Sequence, residues 1–298
     1  MHLPPEITRC QHAGHEALQL ATRHGTAMIA LHGAHLLSWA PSGQRDVFWL
    51  SPDSPPVPAA IRGGVPVCWP WFSKQGVPAD ALQHGPARVN RWQVSAVHES
   101  SMDEISLSLQ PCEQNSDGAT RLATLAPRLR VSLRITLGRT LRQTLHTRNL
   151  GAQTFHLTQA LHSYFSVSHA AQVRIEGLDG LPYLDKLRGM APGIEQAPFA
   201  LDQACDRIYH AAQHPDSQFS GRYALADPGW QRRIVIDTQG SRSVVVWNPG
   251  SEGARKMADV RDDGWQDFFC IEASNAGPDV VALAPGSEHW LGQTLSIE

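Results

Sequence analysis

The sequence predicts an all-β protein, a sandwich or a barrel, on three observations. Short segments rich in β-branched and aromatic residues recur along all 298 residues, bounded by Gly, Pro, Asn and Asp. One of them, Arg128 to Leu137, alternates strictly. Leu129, Val131, Leu133, Ile135 and Leu137 face one way and Arg128, Arg130, Ser132, Arg134 and Thr136 the other, as in a half-buried strand. Helix signals are confined to Gly250 to Asp262, so the strands are not interleaved with helices as in a parallel α/β fold.

In chain order, Glu16 to Thr22, Thr26 to His32 and His35 to Ala40 read as successive strands, punctuated by Gly25 and Gly33. Asp46 to Leu50 continues them through a hairpin connection at Pro41-Ser42-Gly43. Arg91 to His98 and Glu104 to Gln110 form the next pair, joined through the polar run Glu99 to Asp103. Pro111 to Thr120 is polar, with a turn signal at Asn115-Ser116-Asp117-Gly118, and is expected as a surface loop. The three arginines of Arg128 to Leu137 read as solvated sheet surface. Thr140 to Arg148 and Thr154 to Val167 follow as strands, the latter carrying His156 and His162. Leu178 to Ile194, rich in Gly, Pro and charge, reads as a long connection or a hairpin, and Ala204 to Ala212 begins a further strand or turn. Arg232 to Asp237, Ser243 to Asn248, Asp267 to Ala273 and His289 to Ile297 complete the strand-dominated second half.

No Pro/Gly-rich linker interrupts the chain, so residues 1–298 are expected to form a single domain with a sizeable core. A hydrophobic share of 42% with 18% charged residues is that of a globular protein, and no apolar run is long enough to span a bilayer. The net charge of −3 and the lack of a basic tract argue against a nucleic-acid partner. The first residues, MHLPPEITRC, lack a basic region followed by an apolar one, which predicts a cytoplasmic protein. Five scattered cysteines, odd in number and without metal-ligand spacing, read as free thiols.

Ala60 to Arg88, AIRGGVPVCWPWFSKQGVPADALQHGPAR, has a composition that no ordinary core strand needs. Arg62 precedes Gly63-Gly64, where the backbone can take unusual dihedrals or let a ligand come close. Trp69, Trp71 and Phe72 offer flat apolar faces, and Arg62 and Arg88 offer planar forks of donors suited to phosphate or carboxylate. The stretch reads as a binding surface for a small anionic ligand with an apolar face, such as a sugar phosphate. Elsewhere, Glu272 lies in the apolar segment FFCIEASN, where burial would raise its pKa towards a range useful for proton transfer. His162 lies in the apolar context QALHSYF.

Seven segments carry a resemblance: IRGGVPVCWPWF and QHGPAR within that stretch, then GAHLLSW (Gly33 to Trp39), DVFWLSP (Asp46 to Pro52), ALHSYFSV (Ala160 to Val167), WNP (Trp247 to Pro249) and FCIEASN (Phe269 to Asn275). Spread over most of the chain and in family order, they resemble the hexose-6-phosphate mutarotase, or glucose-6-phosphate 1-epimerase, branch of the aldose 1-epimerases. The resemblance implies a large two-sheet antiparallel β-supersandwich of the galactose mutarotase-like type, with its site in a cleft on one sheet. It also implies cofactor-independent and metal-independent interconversion of sugar anomers by acid-base ring opening and closure. Glu272 would be the base and His162 the acid, on opposite sides of the reacting centre. His84 and Asp206 would grip sugar hydroxyls, and Arg62, Gln83 and Arg88 would occupy the substrate-binding positions, the arginines against the 6-phosphate. The sequence departs from the family pattern at Pro86, where an aromatic or bulky apolar residue is usual, and at Leu125 to Arg128, which lacks a Trp-Pro pair. The alternatives are a free-sugar aldose 1-epimerase and a non-catalytic carbohydrate-binding or sensing sandwich. A glycoside hydrolase would want two carboxylates flanking the bond, and only one strong candidate is present.

Overall fold

The computed structural model describes residues 3–112, 128–196, 198–201, 203–210 and 221–298. The strands are β1 (Ile7–His12), β2 (His15–Thr22), β3 (Gly25–Ala30), β4 (His35–Pro41), β5 (Val67–Cys68), β6 (Trp92–Ser100), β7 (Ile105–Pro111), β8 (Leu129–Leu137), β9 (Leu141–Asn149), β10 (Phe155–Leu157) and β11 (Gln159–Leu161). They continue as β12 (Tyr164–Ser166), β13 (Arg174–Glu176), β14 (Pro182–Asp185), β15 (Ala191–Ile194), β16 (Cys205–His210), β17 (Arg222–Asp227), β18 (Arg232–Gln239), β19 (Ser243–Asn248), β20 (Phe268–Asn275), β21 (Val281–Leu283) and β22 (Glu288–Ile297). A single helical turn, α1 (Gly250–Ala254), is the α-helix among the described residues.

Two eight-stranded antiparallel sheets dominate, giving the galactose mutarotase-like sandwich that the resemblance implies. The back sheet runs β13-β17-β18-β22-β9-β8-β7-β6, and the cleft sheet runs β15-β14-β16-β19-β20-β11-β5 with β12 also paired to β20. A four-stranded meander, β1-β2-β3-β4, and a two-stranded ribbon, β10-β21, complete the fold. One apolar cluster joins Leu133, Leu145, Ile234 and Leu291 of the back sheet to Val244, Val246, Phe269 and Ile271 of the cleft sheet and Leu18 and Ile29 of the meander. Polar threads cross it. Trp69 Nε1 donates to Thr147 Oγ1 (2.9 Å), Ser163 Oγ donates to Gln293 Oε1 (3.0 Å), and Gln293 Nε2 donates to Gln143 Oε1 (2.7 Å).

The alternation of β8 appears as expected, with Leu129, Val131, Leu133, Ile135 and Leu137 buried and Arg128, Arg130 and Arg134 exposed. Other segments differ. Asp46 to Leu50 makes only isolated bridges, Phe48 to Phe165 and Leu50 to Gly63, because the Asp46 carboxylate itself takes the Trp39 and Phe48 amides (3.1 and 2.9 Å) and the Ser38 hydroxyl. Thr154 to Val167 is three strands. β10 leaves for the ribbon with β21, and the chain then breaks at His162-Ser163, where His162 N–H turns to the Pro66 carbonyl (3.1 Å). Leu178 to Ile194 is the hairpin β14-β15, closed by a 3-10 turn at Lys186–Arg188. Strands β1, β5, β13, β17 and β21 have no counterpart in the sequence reading. Of the expected loop Pro111 to Thr120, residues 113–120 lie outside the described residues, as do Leu125 to Pro127 and residues 211–212 of the segment starting at Ala204. All five cysteines are free thiols, and among the described residues no helix is long and apolar enough to cross a membrane.

Candidate active site

All eight residues of β20 are buried, and the period of two divides them. Phe269, Ile271 and Ala273 enter the inter-sheet core, while Phe268, Cys270 and Glu272 point to the outer face of the cleft sheet. On the neighbouring strand Val245 lies opposite Glu272, and one strand further on Asp206 lies opposite Trp247. These side chains floor a cleft of about 220 Å³ that Arg62, Phe72, Gln83, His84, Arg88, His162 and Lys186 enclose. Thus all seven residues singled out in the sequence, Arg62, Gln83, His84, Arg88, His162, Asp206 and Glu272, meet at one place.

Glu272 is 1% exposed, its Oε1 lies 3.3 Å from His162 Nε2, and its Oε2 has no hydrogen-bond partner among the described residues. The expected placement on opposite sides of a substrate is therefore replaced by direct contact, and the reason is local. His162 occupies the break between β11 and β12, both paired to β20, so its ring drops onto the strand that carries Glu272. The ring is clamped by stacking on Tyr164 (4.8 Å, 9°) and by edge contacts with His84 and Trp247 (5.7 and 5.9 Å). Burial pushes the Glu272 carboxyl well above its ordinary range, against the pull of the Lys186 ammonium. Burial also holds the His162 imidazole well below its ordinary value, helped by His84 and the cations Arg62, Arg88 and Lys186. The pair therefore shares one proton over a wide pH range, and burial favours its neutral form.

The two arginines differ. Arg62 donates from Nε to Asp259 Oδ2 (2.9 Å) and from Nη1 to the Tyr164 hydroxyl (2.8 Å), so its fork is fixed and its charge partly countered. Gly63 makes this presentation possible, since at φ +99° a Cβ there would stand 2.4 Å from the Trp49 carbonyl oxygen. Arg88 has no ion pair or hydrogen bond among the described residues, and its Nε is buried without an acceptor. Burial lowers its pKa. Pro86 opens the 3-10 turn Ala87–Val89 on which Arg88 sits, so this departure from the family pattern leaves Arg88 facing the cleft.

His84 adopts φ 61° and accepts the Ser73 amide at Nδ1 (3.1 Å). Burial keeps its ring neutral, first by desolvation and then through Arg88, Lys186 and Arg62, which leaves Nε2 as the protonated donor. Behind it Gly85 (φ +74°) lies so near Trp69 that an added Cβ would stand 2.0 Å from the Trp69 carbonyl oxygen. Gly85→Ala is therefore expected to destabilise the protein by more than the roughly 1–2 kcal/mol of a left-handed residue alone. Thermal denaturation checks this, and an unchanged midpoint would show that the turn can move. Gln83 lies on the exposed rim, with Nε2 near Ser73 Oγ (3.3 Å).

Of the three aromatics expected to offer faces, only Phe72 lines the cleft. Trp69 is buried in the core and Trp71 braces the loop through Nε1 to the Leu82 carbonyl (2.7 Å). The sequence reading gave no role to Lys186, Asp259, Tyr164 or Trp247. The last two stand inside the quoted ALHSYFSV and WNP segments, whereas Lys186 and Asp259 come from irregular connections with no periodic signal.

Residues 16–296 match the aldose 1-epimerase family. A protein of Escherichia coli K12, provisionally named glucose-6-phosphate 1-epimerase, is 36% identical over 84% of this chain and 80% of its own length. A relative from Cenchrus ciliaris bears the same provisional name at 30% identity, over 91% of this chain and 80% of its own length. The crystal structure of a provisionally assigned mutarotase from Salmonella typhimurium superposes with a TM-score of 0.85 at 29% identity, covering 99% of this chain and 95% of that one. The chain belongs to the aldose 1-epimerase family and is an isomerase of the mutarotase type.

Proposed function

We propose that this aldose 1-epimerase acts on aldohexose 6-phosphates, glucose 6-phosphate foremost, with Glu272 as base, His162 as acid and the two arginines as the phosphate clamp. The observation that carries the phosphate assignment is Arg88, a guanidinium without a counter-ion among the described residues, beside the acid-base pair. A phosphate monoester brings about −1.5 to −2 charges and would satisfy it, with Arg62 held ready by Asp259 and Tyr164. The names of the relatives point to the same substrate. A single apolar core reaching both large sheets and the meander supports reading residues 1–298 as one domain of this kind.

In the reaction Glu272 takes the proton of the O1 hydroxyl while His162 gives one to the ring oxygen O5, and the C1–O5 bond opens to an aldehyde. Rotation about C1–C2 presents the other face, and the reverse transfers close the ring. O1 and O5 are both bonded to C1, which suits an acid and base standing side by side. The working form is carboxylate with imidazolium, the opposite of what burial favours. The phosphate eases this, since a dianion between Arg62 and Arg88 counters two of the cations that add to the effect of burial on His162. His84 and Asp206 hold hydroxyls, the first as donor through Nε2 and the second as acceptor through Oδ1.

Two-dimensional exchange NMR at anomeric equilibrium, on glucose 6-phosphate and on glucose, tests the substrate. Acceleration of the phosphate ester alone is expected, and equal acceleration of both sugars would favour a free-sugar epimerase. Ligand binding without faster exchange of either sugar would favour a carbohydrate-binding sandwich. The pH dependence tests the pair. Activity fails when the pair gains a second proton, below the depressed imidazole value, or loses its only one, above the raised carboxyl value. kcat/KM, which reports the unliganded pair, is therefore expected to hold a plateau wider than the interval between the ordinary values of 4.5 and 6.5. A narrow acid bell between those values would contradict the pairing.

A further inference from the structure

Lys186 reaches the cleft from outside the segments that resemble the family, and its surroundings give it a task. It opens the 3-10 turn at the tip of the β14-β15 hairpin, at the edge of the cleft sheet. Asp185 anchors that tip, its Oδ1 accepting from the Leu187 amide (3.0 Å) and its backbone carbonyl from the Met190 amide (2.8 Å). Leu187 and Met190 beside it are exposed, whereas Lys186 folds inward with its ammonium near the Phe72 ring (5.6 Å). There Nζ meets Asp206 Oδ2 at 2.8 Å, in a contact with both side chains mostly covered. Asp206 Oδ1 is buried and without a partner among the described residues.

We propose that Lys186 is a positioning residue that keeps Asp206 ionised with Oδ1 free to accept a sugar hydroxyl, so that the β14-β15 hairpin forms part of the active site. The inference rests on the reading of Asp206 as a hydroxyl-binding residue. The titratable groups bearing on Asp206 are Lys186 and Asp185 from the hairpin, Glu272 and the Cys270 thiol from β20, and the adjacent Cys205 thiol. Burial and Asp185 push the Asp206 carboxyl up, while Lys186 pulls it down. Without the ammonium, the carboxyl would take a proton at higher pH and Oδ2 would be left unpaired.

The sign of the pH effect follows. In Lys186→Met the KM for glucose 6-phosphate is expected to rise about tenfold or more near neutrality, most at acid pH and progressively less towards alkaline pH, where Asp206 ionises unaided. KM should carry most of the effect, with a smaller change in kcat through the pull of Lys186 on Glu272 and His162. Lys186→Arg should restore most of the loss, and a cooperative thermal transition, lowered by the stranded Asp206, should show that the variant is folded. In the double variant with Asp206→Asn, the lysine substitution should add little to the asparagine effect. A wild-type KM in Lys186→Met, a loss equal at every pH, or additive effects in the double variant would overturn the proposal. If wild type exchanges glucose but not its 6-phosphate, the substrate reading fails while the same cycle on glucose still tests Lys186, because Asp206 addresses hydroxyls that both sugars carry.

Discussion

Glu272→Gln is expected to slow anomer exchange by about 10² to 10⁴-fold, the usual worth of a positioned proton-transfer group, while the dissociation constant for glucose 6-phosphate moves little. The substitution is gentle on the fold. Burial already favours the neutral carboxyl at this position, and a glutamine amide has the same shape and no charge to desolvate. Its thermal midpoint should equal or exceed that of wild type, since an ionisable group in a fully covered site is costly. Exchange spectroscopy with protein in excess of a catalytic trace, together with calorimetric titration of the ligand, separates the two effects. Retained exchange would remove Glu272 as the base, and lost binding would make it a ligand contact instead.

The second large effect concerns Arg88. Arg88→Met keeps the aliphatic stem and removes the charge, and is expected to weaken binding of glucose 6-phosphate by about 2–5 kcal/mol. Exchange of unphosphorylated glucose, however slow, should be unaffected by loss of a phosphate contact. Arg62→Ala should share the direction with a complication, because it also strands Asp259 and the Tyr164 hydroxyl. A loss in Arg88→Met common to both sugars would mean that Arg88 shapes the cleft and does not read the phosphate.

Much of the architecture was legible because strands announce themselves through spacing. β8 is the clearest case, its buried leucines and exposed arginines alternating as written. In the structure the same period sets Glu272 and Ile271 on opposite faces of β20, a division that the sequence reading did not make. Thr154 to Val167 was misleading for a physical reason. No Gly, Pro, Asn or Asp interrupts it, but its pieces are committed to different partners, β10 to the ribbon and β11 and β12 to β20, and partners are set by topology. Lys186 and Asp259 were invisible for a related reason. One reaches in from a hairpin tip and the other from the irregular segment after α1, where nothing in the local pattern marks a residue that will meet a partner about 20 or about 200 positions away. Trp69 and Trp71 read as ligand surfaces because a tryptophan's size says it will be used, without saying whether by a ligand or by the core.

The cleft has a floor and walls of different make. Glu272 and Asp206 stand on strands whose other faces are the core itself, and the residue after His162 is tied through Gln293 and Gln143 to the opposite sheet. Arg62, Gln83, His84, Arg88 and Lys186 come instead from turns and a hairpin tip. Descent with modification can therefore redraw the outline of the accepted sugar by exchanging wall residues a few at a time, without touching Glu272 and His162. A change to the floor would have to be accommodated by the whole sandwich, so substrate range is the trait this scaffold can vary and ring opening is the one it keeps.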